Sequence, residues 1–232
     1  MHIRKLIHYS AMALGTSALV VLAAFSTDSF ARSSKASTPT ANPQSALQTS
    51  TTATPPKATE SISADEIAGL KFMREEEKLA HDVYTALSYW PRNVFKQIAV
   101  SETTHTEVIL GLLNKYGVAD PAAGKAPGLF EDHELQDLYD TLLVMGKPTL
   151  IDALKVGALI EETDIHDIEV RKAITKQADI LRVYDNLLSG SCNHLRAFNS
   201  QLKKEGISYV PQVLTQAEWD AVVNSSSDKC GK

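Results

Sequence analysis

The 232-residue chain is short of several things, and each shortage excludes a class of protein. It has only two cysteines, Cys192 and Cys230, so it is not a small scaffold held by a disulfide framework. It has no excess of basic charge: the formal net charge is −5, which argues against a nucleic-acid or polybasic membrane role. Its longest apolar run, Ala11 to Phe25, falls short of the roughly 20 residues that a membrane span needs. Between Arg32 and Glu60 it has no large apolar residue except Leu47. Such a segment cannot bury enough surface to offset its ordering entropy, so residues 32–60 read as a disordered Ser/Thr/Pro/Ala-rich tether.

The N-terminal apolar run follows Arg4 and Lys5 and precedes Ser29-Phe30-Ala31, an A-x-A-like end. Residues 1–31 therefore read as a secretory signal peptide cleaved after Ala31. Removing Arg4, Lys5 and Asp28 with that leader, a net of +1, leaves a formal charge of −6. The mature chain is expected to be periplasmic or extracellular, with no membrane attachment after cleavage. In that oxidising compartment Cys192 and Cys230 have the opportunity to bridge, which would tie the C-terminal tail to the last long helix if the geometry permits.

The folded part is expected to be all-α and to span residues 61–224, with a flexible tail at 225–232. Ser63-x-x-Glu66 has the capping-box spacing for a helix start. The first helix runs to about Ser88, with Leu70, Met73, Ala80, Tyr84 and Leu87 as its inward stripe. Glu77 lies in that stripe, Glu76 lies toward its edge, and Glu75 lies roughly 160° from Glu77 at about 100° per residue, as a solvated charge. After a break at Tyr89-Trp90-Pro91, a second helix covers Val94 to Tyr116. Val94, Ile98, Ile109, Leu112 and Tyr116 line one side of it, and Glu102 and His105 fall on that same side.

The short break makes these helices antiparallel neighbours. Counted from Trp90, Glu77 is about thirteen residues back and Glu102/His105 about twelve to fifteen forward, so at 1.5 Å per residue they share a layer. A Gly/Pro/Ala-rich passage to Gly128 and a short helix from Glu131 to Met145 then form a long crossover between the second and third long helices. The third carries Leu150, Leu154, Ala158, Ile165 and Ile168 inward with Glu161; Asp164 is one turn on, and Glu162 is at the edge. The fourth, from about Lys176 to Lys204, carries Ile180, Tyr184, Leu187, Leu195, Phe198 and Leu202 inward with Ser191 and His194. Here the depths disagree: from a turn near Arg171, Glu161 is about ten residues away and His194 about twenty-three. Ile207 to Val213 reads as extended, and Thr215-x-x-Glu218 opens a last short helix.

Four long helices thus each offer an inward metal-type ligand near mid-length: Glu77, Glu102 with His105, Glu161, and His194. A single buried Glu or His is most often a satisfied core residue, but no inward Lys or Arg matches these positions. Carboxylate with imidazole suits iron, manganese or, less well, zinc, and bridging carboxylates suit a pair of ions. His81 and His166 have helical spacing for extra ligands but read better as surface histidines. Tyr84 and Tyr184, both inward, read first as core packing and second as groups serving a ligand or a radical.

The layout resembles the ferritin-like carboxylate-bridged proteins, in which two helices give one Glu each and two give Glu-x-x-His. Glu77-x-x-Ala80-x-x-x-Tyr84 is similar to the first-helix pattern and Glu102-x-x-His105 to the second. More closely, MREEEKLAHDVY, SETTHTEVILGLLNKYG, VGALIEETDIHDIE and GSCNHLRAF resemble the ferritin-like family called domain of unknown function 2202, from Ser63 to Ala221. The resemblance implies a ferritin-like four-helix bundle with short accessory helices and a centre of one or two iron or manganese ions. Glu77, Glu102, His105, Glu161 and His194 would be its ligands, Asp164 and Glu162 second choices, and oxygen or peroxide the partner; a homodimer is left open. The departure is Ser191-x-x-His194, where that pattern has Glu-x-x-His. Asp164 or Glu162 supplies the missing carboxylate, or one ion is held, or the protein is a non-catalytic binding or structural module with one metal or none.

Overall fold

The computed structural model describes residues 62–225 and Cys230; the predicted leader, the tether and most of the predicted tail lie outside the described residues. Within them the chain is all-α, with six helices and no strand. No described helix is long and apolar enough to cross a membrane.

Helix α1 (Ala64–Leu87) starts on the predicted capping box: the Ser63 hydroxyl accepts from Glu66 N–H, and the Glu66 carboxylate accepts from Ser63 N–H. Pro91 disfavours helical backbone in the residue before it, and the chain turns into α2 (Asn93–Lys115). That helix ends on Gly117 at φ 66°, with Gly117 N–H bonded to Asn114 O and Val118 N–H to Leu113 O. This pair of bonds closes the last turn and needs a left-handed residue, which glycine supplies without strain. Helix α3 (His133–Gly146) is capped by Asp132, and α4 (Leu150–Ile174) by Thr149. Helix α5 (Ala178–Lys204) ends at Gly206 in the manner of α2, and α6 (Gln216–Val223) opens on the predicted Thr215/Glu218 capping box.

The four long helices pack in the cyclic order α1, α2, α5, α4. Short turns make α1 antiparallel to α2 and α4 antiparallel to α5. Glu66 accepts the N–H groups of Lys176 and Gln177 at 2.8 and 3.0 Å, which fixes the start of α1 to the turn between α4 and α5. The segment between α2 and α4 therefore joins diagonally opposite helices, and α3 within it packs on α1 and α4. The apolar stripes meet inside, with Leu70, Met73, Tyr84, Phe95, Ile109, Leu154, Ile168, Leu195 and Phe198 wholly or almost wholly buried.

The outer face of α1 corrects the sequence reading. Glu75, expected in solvent, is only 2% exposed and accepts the N–H groups of Glu131 and Asp132 at 2.5 and 2.9 Å. Arg74 donates to both oxygens of Asp120 and to the Thr106 carbonyl, and Asp82 accepts from Lys78 and from Gly128 N–H. The charges of this face are thus fastenings for the 117–132 connection, which supplies backbone donors that periodicity along α1 cannot reveal. Glu76, placed at the stripe's edge, is also buried.

Near the middle of α5, Cys192 is bridged to Cys230, with Cα atoms 5.7 Å apart, within the ordinary range.

Candidate metal centre

Each of the four long helices delivers a polar side chain to one layer of the core. Glu77 comes from α1, Glu102 and His105 from α2, Glu161 from α4 and His194 from α5. The three glutamates are 1–2% exposed, and the two histidines 8–9%. The depth mismatch foreseen for α4 and α5 disappears because α4 continues to Ile174 and α5 begins at Ala178. Counted from Lys176, Glu161 is fifteen residues back and His194 eighteen forward, about one helical turn apart in depth.

Two triads form. Ligand-type atoms of Glu77, Glu102 and His105 lie within 4.8 Å of one another, as do those of Glu102, Glu161 and His194. Glu102 belongs to both. His105 Nδ1 is 2.7 Å from Glu102 Oε2 and 3.1 Å from Glu77 Oε2; His194 Nδ1 is 2.8 Å from Glu102 Oε1 and 3.5 Å from Glu161 Oε2. The imidazoles stack at 5.5 Å between centroids. Gly190 of α5 makes room for one of them, since a Cβ there would sit 2.6 Å from His105 Cε1 and Nε2. Nothing in the sequence pattern singled out Gly190, because its role is set by a ring on another helix.

Charge distributes unevenly over the cluster. Burial raises the Glu102 carboxyl, but the two imidazoles reverse this and hold it at about 2. Burial lowers both histidines, yet the facing carboxylates win: Glu77 and Glu102 take His105 up to about 12, and Glu161 and Glu102 take His194 up to about 10. Glu77 and Glu161 are raised, first by burial; the Asp164 charge then adds to the rise at Glu77, and Glu102 to that at Glu161. In the metal-free cluster the surroundings thus favour charge on Glu102 and on the two imidazoles and disfavour it on Glu77 and Glu161.

Hydrogen bonding does not complete it. Glu77 Oε1, Glu102 Oε2 and His194 Nδ1 are buried without a hydrogen-bond partner among the described protein groups, although oppositely charged atoms stand within ion-pair distance of the last two. Buried polar atoms are normally paired. Ligand-type atoms that converge without hydrogen-bond alignment suit an ion's coordination sphere, and both triads could hold a metal ion.

Surrounding groups hold the donors. Tyr84 O–H donates to Glu161 Oε1 at 2.5 Å, and Ser101 Oγ lies 3.0 Å from His194 Nε2. Ser101 was not singled out in sequence, although it directly precedes Glu102 on a helix turn facing α5. Tyr184 is buried elsewhere, near Gly69 and Arg171, and does not touch the triads. Glu162 also turns away: it is buried and accepts the N–H groups of Gln212, Val213 and Leu214, fixing the extended segment that covers α4. Asp164 is buried beside the cluster and takes a hydrogen bond from Ser191 but belongs to neither triad; its Oδ1 has no partner. His81 is partly exposed and bonded to Asp82.

Fold and site together define a helical protein with a buried carboxylate–imidazole cluster able to hold metal. The chain belongs to the family described as uncharacterized protein domain (DUF2202), whose model matches residues 66–226. It is 43% identical over 169 residues to the uncharacterized protein MJ0754 of Methanocaldococcus jannaschii, covering 72% of this chain and 91% of that protein. The crystal structure of that archaeal protein, titled as a hypothetical protein, superimposes with a TM-score of 0.71 over 75% of this chain and 99% of the other.

Proposed function

We propose that this protein is an exported, ferritin-like, carboxylate-bridged metalloprotein whose iron or manganese centre reacts with oxygen or peroxide. The observation that carries the metal reading is the pair of buried triads sharing Glu102, in which Glu77 Oε1, Glu102 Oε2 and His194 Nδ1 make no well-aligned hydrogen bond. The helix order and the long diagonal connection agree with the ferritin-like class, in which ligands project inward from four helices. In this reading Glu77 and His105 would hold one ion and Glu161 and His194 the other, with Glu102 available to both. Ions held there would supply the redox chemistry toward a small oxidant.

The chain's own groups do the rest. Tyr84 fixes one oxygen of Glu161 and leaves the other toward His194. With Nε2–H donating to Ser101, the Nδ1 lone pair of His194 faces Glu102 and Glu161. Tyr84 packs on Phe198, which packs on Phe95, an apolar wall that limits water beside the centre. Tyr184, remote from the triads, is assigned to packing. Export is supported by the leader pattern and by a Cys192–Cys230 bridge of the kind that oxidising compartments preserve.

Metal analysis of protein purified without chelators tests this reading. About two iron or manganese ions per chain, lost in Glu102→Ala, are expected; no metal after iron-supplemented expression contradicts it. Peroxide should oxidise the iron(II)-loaded protein faster than free iron(II). A second reading, a module that keeps the bundle without the chemistry, draws on Ser191, which stands where a bridging carboxylate would, and predicts one ion or none with no such acceleration.

A further inference from the structure

The pairing of helices leaves one position unexplained. Glu102 precedes His105 by three residues on α2, and Ser191 precedes His194 by three on α5, so Ser191 occupies the place equivalent to Glu102 across the cluster. It cannot act as a carboxylate, but it touches one: its hydroxyl donates to Asp164 Oδ2, with the Leu187 carbonyl 3.0 Å away as the alternative acceptor. Asp164 is one turn along α4 from Glu161 and 5% exposed. Its other oxygen, Oδ1, is buried without a partner.

Charge counting shows what is missing. Two divalent ions bring four positive charges, and Glu77, Glu102 and Glu161 bring three negative ones, with both imidazoles neutral as ligands. One net positive charge would remain in the core, where an unpaired charge is costly. A fourth buried carboxylate removes it. Glu76 is the other buried carboxylate in this region, but the charges that act on it most are those of Asp167, Asp164 and Arg171, not those of Glu102 or the two histidines. Glu162 is committed to the backbone of residues 212–214. Asp164 remains.

We propose that Asp164, positioned by the Ser191 hydroxyl, is the fourth carboxylate of the centre and enables it to hold a second divalent ion. This rests on the metal reading above. The carboxylate that the ferritin-like pattern places on α5 is supplied instead by α4, and a serine on α5 holds it by one oxygen and leaves the other free. Asp164 lies outside both 4.8 Å triads, so its contribution to the centre is to balance the charge of the second ion from beside the ligands.

The test is manganese(II) binding to the chelator-stripped full chain by equilibrium dialysis, with circular dichroism to verify the fold. The wild type should bind two ions. Asp164→Asn, nearly isosteric, should bind one, with first-ion affinity unchanged. Ser191→Ala should keep two sites but weaken the second about tenfold or more. Asp164→Asn combined with Ser191→Glu should regain the second ion. Two ions at unchanged affinity in Asp164→Asn overturns the inference and leaves the metal reading standing, whereas a wild type that saturates at one overturns the inference together with the two-ion form of that reading. A wild type that binds none overturns both.

Discussion

Replacing Gly190 by alanine separates a helix-propensity effect from a steric effect on the candidate centre. In an exposed helix interior, glycine to alanine is worth about 0.8–1 kcal/mol of added stability. Gly111 of α2 is such a site, with nothing within 4 Å of a built Cβ. Gly111→Ala should therefore raise the melting temperature by about 2–4 °C, the shift expected for about 1 kcal/mol in a domain of this size. At Gly190 the same methyl group would meet His105 Cε1 and Nε2 at 2.6 Å, roughly 1 Å inside ordinary carbon contact. The His105 ring cannot yield freely, because its other edge stands 2.7 Å from Glu102 and 3.1 Å from Glu77. Overpacking of this kind costs about 1–3 kcal/mol, which cancels or outweighs the propensity gain. The metal-free protein should melt at or below the wild-type temperature. Displacement of Nδ1 should also weaken cobalt(II) or manganese(II) binding at least tenfold, read by absorbance or dialysis. If Gly190→Ala melts as high as Gly111→Ala and binds metal with wild-type affinity, the proposed packing of His105 is wrong.

Other contacts give separate tests. Burial raises the Glu66 carboxyl, but the N–H groups of Ser63, Lys176 and Gln177 overcome this and lower it to about 2, against 4.5 for the free group. Its stabilising contribution is therefore full above about pH 4.5 and lost as pH falls toward 2; Glu66→Gln should flatten acid unfolding in that window, followed by circular dichroism. Glu75→Ala leaves the N–H groups of Glu131 and Asp132 without their acceptor and should cost about 2–3 kcal/mol in urea denaturation. Reduction of the Cys192–Cys230 bridge, which closes a segment with a sequence separation of 38, should cost up to about 4 kcal/mol, seen as a lower melting temperature in dithiothreitol.

The parts legible in the sequence are those that depend on local chemistry or on one helix's own period. Ser63/Glu66 and Thr215/Glu218 announce their helices because a capping box is complete within four residues. Glu77, Glu102, His105, Glu161 and His194 are visible because each interrupts an apolar stripe. What the sequence hides is burial by a second layer. Glu75 and Asp82 face away from the core of α1, and only the returning 117–132 connection makes them interior. Helix α4 is enclosed by α1, α3, α5 and the 207–214 segment, so almost every residue from Ala153 to Ile165 is buried and no single face stands out. For that reason Glu162 resembled a candidate ligand while serving the segment on the opposite side. Gly190 and Ser101 were silent because their importance comes from rings on neighbouring helices.

The most direct measurement is anomalous diffraction from a crystal soaked in manganese(II). The account predicts two peaks in the core, both beside Glu102, one also contacting Glu77 and His105 and the other Glu161 and His194. A saturating soak that places manganese elsewhere on the molecule and none beside Glu102 would contradict it.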